Sequence, residues 1–117
     1  MAVLRAPAPA TPPPPVAPRW RWDVDTFVRL GEMGVFGDTR VELVRGEVVA
    51  MPPPSPRHSG AIRPCGRLLE AVFTPEAGYH VRMEQPLLFP NRSLVLPDIA
   101  VCLGGDDTFR RRYPEPS

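Results

Sequence analysis

A chain of 117 residues and 13.0 kDa accommodates one small domain rather than two. Apolar residues make up 43% of it and the formal net charge is +1, a globular composition that excludes a polybasic binder held by bulk charge. All 14 residues in the Lys+Arg total are arginines, which excludes chemistry that needs a lysine as Schiff base, proton donor or phosphate clamp.

Residues 1–18 hold seven of the 18 prolines and too little apolar surface to offset ordering entropy, so a disordered Pro/Ala-rich tail is expected. Its run Pro12 to Pro15 also has the composition of a polyproline ligand. The first residues lack the apolar stretch of a signal peptide, and no segment approaches the roughly 20 apolar residues of a membrane helix. The expectation is a cytosolic protein with no membrane partner.

From Trp20 the character changes. Asp23 is placed to cap a helix whose apolar positions Val24, Phe27, Val28 and Leu30 recur at helical spacing, ended by Gly31 or Gly34. The stretch Arg40 to Met51 alternates on either side of Arg45-Gly46, which predicts a β-hairpin. Arg45 suits the first turn position less well than Asn or Asp would. Beyond MPPPSPRH, Ala61, Ile62, Cys65, Leu68, Leu69, Val72 and Phe73 trace one face of a second helix. Pro64 lies within that pattern, and a regular helix starting near Pro64, where proline is tolerated, is the expectation.

Tyr79 to Phe89 alternates again, with Val81, Met83, Leu87 and Phe89 on one face and His80, Arg82 and Glu84 on the other. After a turn at Asn91 to Ser93, the apolar run LVLPDIAVCL, Leu94 to Leu103, predicts a central strand buried on both faces. Polar, arginine-rich sequence follows, and Arg110 to Arg112 reads as a solvated run able to contact phosphates. The order helix, hairpin, helix, strand, strand predicts a mixed α/β domain over residues 19–117, incomplete at its C-terminus because an apolar strand comes last without cover for its edge. Cys65 and Cys102 have no metal or redox spacing and read as reduced core thiols.

Asp98 is the most informative residue, a carboxylate inside the most hydrophobic segment. There it requires an arginine, backbone donors, a metal ion or a proton. If it holds a divalent metal, a second acid must approach, from Glu84, Glu42 or Glu47. Antiparallel pairing through the Asn91 turn would carry Glu84 toward it, although a slip of one residue reverses the face. Glu42 and Glu47 flank the hairpin turn, where acids face solvent or pair with an arginine. His58, at the entrance to the second helix, has the chemistry of a proton carrier or ligand, or simply fills a first-turn position. His80 reads as a solvated strand residue.

Taken in order, RWDVDTFVRL, VELVRGEVVAMPPPSPRHS, VRMEQPLLF and LVLPDIAVCL resemble the Uma-type restriction endonucleases, a branch of the PD-(D/E)xK nuclease superfamily. The resemblance covers residues 19 to 117 and rests on the combined ELxxGE, SPxxH and PDxxV pattern. It implies a restriction-endonuclease-like core, a central sheet flanked by helices, acting on DNA with Mg²⁺ or Mn²⁺. Asp98 matches the PD aspartate; Glu84 is the second metal-ligand candidate, and His58 and Glu47 join Asp98 as catalytic candidates. Relatives would continue into a strand carrying a Glu and a catalytic lysine, neither of which this chain supplies. Two expectations follow: a nuclease inactive as this chain alone, or a non-catalytic module that pairs through its sheet edge with a complementing C-terminal fragment or, as a homodimer, with a second copy.

Overall fold

The computed structural model describes residues 11–116. Residues 11–20 carry no regular secondary structure and are exposed, while residues 1–10 of the expected tail lie outside the described residues. The architecture is mixed α/β, as the element order predicts, but it holds two antiparallel sheets rather than one.

Helix α1 spans Val24–Glu32, with the Asp23 carboxylate accepting from the Thr26 N–H at its start. Gly31 falls inside it and the left-handed Gly34 follows it. The hairpin forms as expected, with β1 Val41–Val44 and β2 Glu47–Ala50. Its turn places Arg45 at φ 50° and Gly46 at φ 79°, a conformation that a non-glycine residue adopts only under constraint. The constraint comes from outside the hairpin. Ser93 Oγ accepts from the Arg45 N–H, the Gly46 N–H donates to the Arg92 carbonyl, and Arg21 and the Trp22 N–H donate to the Arg45 and Gly46 carbonyls. A Cβ at Gly46 would sit 3.1 Å from the Trp22 carbonyl oxygen.

The second helix, α2, spans Pro56–Val72 and includes Pro64 in its interior, so the expectation of a start near Pro64 is corrected. Ser55 caps it through its hydroxyl and Pro56 occupies its first turn, a pairing that favours initiation there. Pro64 leaves the Gly60 carbonyl without its helical partner. Both residues are exposed, so water reaches that carbonyl.

The two long apolar segments are each broken. Tyr79 to Phe89 divides into β3 Tyr79–Met83 and β4 Leu87–Phe89, and Leu94 to Leu103 divides into β5 Ser93–Val95 and β6 Ile99–Leu103. Sheet order is β2-β1-β5-β4 in one sheet and β3-β6 in the other. Register is continuous across the break: Met83 faces Ile99 and Leu87 faces Val95. The chain therefore folds as one long hairpin interrupted in the middle. Pro86 and Pro97 both fall in the interruption, where neither can donate a ladder bond. The predicted doubly buried central strand is thus corrected to two short strands, of which β6 leaves Val101 and Leu103 exposed.

Phe27, Leu43 and Leu94 form the buried core between α1 and the larger sheet, with Trp22, Val28, Phe36, Val48, Leu88 and Tyr113 around it. A short helix α3, Asp106–Phe109, follows β6. Cys102 is buried as expected, whereas Cys65 is exposed on α2. No helix of the described residues is long and apolar enough to cross a membrane.

Candidate functional site

Asp98 sits at the interruption of the long hairpin, one residue before β6. Its backbone carbonyl accepts from the Glu84 N–H at 3.0 Å, the next rung after Met83 and Ile99. The antiparallel pairing predicted through the Asn91 turn thus brings Glu84 and Asp98 together. The Asp98 side chain is about half-exposed, which corrects the expectation of a buried carboxylate. Pro97 ends the apolar run, so the aspartate opens onto solvent.

His58 reaches the same point from the first turn of α2. Its backbone N–H donates to the Ser55 hydroxyl at 3.2 Å, and its Nε2 lies 3.0 Å from Asp98 Oδ1. The cap fixes the turn that aims the imidazole. One Asp98 oxygen is engaged by the imidazole, and the carboxylate keeps acceptor capacity for a further ligand.

Two more groups surround the pair. Arg40 lies 3.3 Å from the Glu84 carboxylate, and Glu84 holds φ at 51°, a strained backbone stabilised by its rung to Asp98. Glu42 accepts from the Leu96 N–H at 2.8 Å, so its carboxylate anchors the segment that leads into Asp98. Glu47 stands apart, at the turn end of the hairpin, where it pairs with Arg21 at 2.8 Å and Arg19 at 3.4 Å. Of the candidates, the structure joins the side chains of Asp98 and His58, links Glu84 to Asp98 through the backbone, ties Glu42 to Leu96 and leaves Glu47 elsewhere.

These residues do not amount to a metal centre. Among the described residues no three His, Cys, Asp or Glu side chains are grouped to hold an ion. Arg40 engages one oxygen of Glu84 and the Leu96 N–H one oxygen of Glu42, and neither carboxylate is grouped with the pair of Asp98 and His58. A magnesium ion, which takes oxygen ligands in near-octahedral geometry, is not satisfied by that pair.

Sequence reasoning missed three contacts of charged or polar side chains. Arg40 has no local signal, because its role depends on a partner 44 residues away. His80, expected to be solvated, is largely covered and lies 3.0 Å from Asp106 on α3. Arg82 is 7% exposed beneath the Phe109 ring, its guanidinium carbon 5.2 Å from the ring centroid, and its buried Nε has no partner.

Comparison with known proteins follows the same direction. A family model, Uma2, described as a putative restriction endonuclease, matches residues 24–117. Among solved structures, the fold is similar to the crystal structure of a putative nuclease belonging to DUF820 from Anabaena variabilis, with a TM-score of 0.58 and 23% sequence identity. That match covers 69% of this chain and 42% of the neighbour, so the chain spans less than half of the neighbour's length. No curated protein matches the chain.

Proposed function

We propose, starting from the fact that the chain belongs to the Uma2 family, that it forms part of a DNA-cleaving domain to which it contributes Asp98, with His58 as its partner. The observation that carries this reading is the His58–Asp98 pair, 3.0 Å apart at an opening in the sheet. A capped helix and a hairpin rung converge there on an accessible carboxylate. Such a pair can orient a water molecule or hold a proton beside a phosphodiester.

Cleavage by the intact domain would depend on Mg²⁺ or Mn²⁺, with oxygen ligands supplied from outside the described residues. By itself the chain is proposed not to cleave. In support, the described residues group no three metal-ligating side chains, and the sequence has no lysine to assist a nucleophile.

Plasmid nicking separates the parts of this reading. The full chain with Mg²⁺ or Mn²⁺ should leave supercoiled DNA intact. Metal-dependent nicking that Asp98→Ala abolishes would overturn the inactivity and make the chain a complete enzyme. Nicking that Asp98→Ala leaves unchanged would remove Asp98 from the reaction.

A second reading, a non-catalytic module that takes a strand at its sheet edge, is favoured by one feature. Among the described residues, strand β6 pairs with β3 alone. Its Val101 and Leu103 are exposed beside a cavity of about 470 Å³ lined by Leu87, Phe89, Ala100, Cys102 and Phe109. A complementing segment or a second copy would supply the missing neighbour by strand addition.

A further inference from the structure

Helix α2 presents two kinds of surface. Its inner side rests on the smaller sheet, where Gly66 meets the Met83 sulfur and Phe73 packs edge-on to Tyr79 at 5.2 Å. Its outer side carries Arg57, Arg63 and Arg67, all exposed, and the helix has a single acid, Glu70. None of the three arginines forms an ion pair among the described residues. By contrast, Arg40 pairs with Glu84, and Arg19 and Arg21 share Glu47 at the hairpin turn. The charge on α2 is therefore available to a ligand.

The spacing is uneven, six residues from Arg57 to Arg63 and four from Arg63 to Arg67. Arg63 and Arg67 stand one turn apart, about 6 Å along the axis, and with Pro64 and Leu68 they border a shallow surface hollow of about 450 Å³. From Arg57 to Arg67 the three arginines span about 15 Å along the helix axis. That length matches about four or five phosphates of one strand, spaced about 3.4 Å along a duplex.

We infer that the outer face of α2 is a track for the DNA backbone, along which Arg57, Arg63 and Arg67 hold phosphates of one strand. This inference rests on the proposed DNA-cleaving role. The three arginines are positioning residues. They contact phosphate oxygens, read no bases, and therefore bind all sequences alike. Guanidinium groups suit the task because their forked donors engage phosphate bidentately and never lose charge.

The test is fluorescence anisotropy of a short labelled duplex with the full chain, titrated at salt concentrations from about 50 to 200 mM. Two triple variants remove equal charge: Arg57→Ala with Arg63→Ala and Arg67→Ala on α2, and Arg110→Ala with Arg111→Ala and Arg112→Ala near the C-terminus. Circular dichroism checks that both keep the fold. The α2 variant should bind at least about tenfold more weakly at low salt, and its log–log salt slope should be shallower by roughly 2 to 3, as expected for three lost phosphate contacts. The C-terminal variant should bind like the parent.

Equal weakening by both variants would mean that binding follows bulk charge and would overturn the track, as would an α2 variant indistinguishable from the parent. A parent that binds no duplex at any salt would overturn it as well. Failure of the nuclease reading shows separately, in nicking, because the anisotropy readout needs no cleavage.

Discussion

The two halves of this molecule are built to different degrees of completion. Around the larger sheet, α1 and four strands enclose Phe27, Leu43 and Leu94, and a ring of half-buried aromatic and aliphatic side chains closes the core. Around the smaller sheet, the residues that reach burial are Gly66, Arg82 and Cys102. Leu68, Val72 and Leu103 are there about 70% exposed. The first half stabilises itself through apolar burial. The second half carries the candidate site and leaves more of its apolar side chains exposed. The candidate site sits at the seam, where the long hairpin passes from one sheet to the other.

The strongest way to break this comparison is to damage the self-sufficient half. Leu43 is fully buried at the centre of its core, so Leu43→Ala should cost about 2–5 kcal/mol through lost transfer energy and the cavity left behind. A small domain has only about 5–15 kcal/mol in total. Urea unfolding followed by the fluorescence of Trp20 and Trp22 reports on this half, since Trp22 packs against that core. A loss below about 1 kcal/mol would show that the larger sheet is not where the stability resides.

Arg82 sharpens the comparison from the other side. Arg82, 7% exposed as a whole residue, with a buried Nε lacking a partner and no carboxylate partner among the described residues, carries an uncompensated desolvation cost at that Nε. Its contact with the Phe109 ring offsets part of that cost. Arg82→Met keeps the aliphatic stem and removes the charge, so it should stabilise the isolated chain by about 1–2 kcal/mol in chemical denaturation. Should a complementing strand bring a carboxylate to Arg82, the same substitution would weaken that association. A destabilised Arg82→Met chain would mean that the guanidinium is already satisfied, and the smaller sheet would then be more complete than its exposed side chains indicate.

The sequence made some of this arrangement legible, for identifiable reasons. The α1 cap, the hairpin and its turn followed from local patterns, because Asp23 and Gly46 act on their immediate neighbours. The register that sets Glu84 opposite Asp98 also followed, since a short turn at Asn91 fixes the pairing of everything beyond it. What was lost were the interruptions. Each segment alone alternates or runs apolar through its proline, and only the pairing shows Pro86 and Pro97 falling in the same gap. Reading LVLPDIAVCL as one strand then placed Asp98 in an apolar interior that does not exist. The early start of α2 was present in Ser55-Pro56, a cap followed by a first-turn proline, but the interior Pro64 outweighed it. Arg40 and Arg82 gave no signal, because their meaning comes from Glu84 and Phe109, each distant in the chain.

The smallest expected effect concerns the entry to the self-sufficient half. The Thr26 backbone N–H, and then the Thr26 hydroxyl, donate to the Asp23 carboxylate and hold its pKa below the ordinary value of 3.8. A folded-state pKa below the unfolded one means that the unfolded chain binds more protons in the window between them, so stability rises with pH there. The contribution of the cap is complete above the ordinary carboxylate value and is lost as pH falls through the lowered one. Asp23→Ala should therefore lower the melting temperature at neutral pH, with the difference from the parent shrinking as the solution is acidified below 3.8. Asp23→Asn, which keeps a side-chain acceptor for the Thr26 N–H, should retain most of the stability and lose its pH dependence. Melting curves of the three proteins across that window decide the matter: a deficit in Asp23→Ala that does not change with pH would show that the cap acts through packing or backbone conformation rather than through its charge.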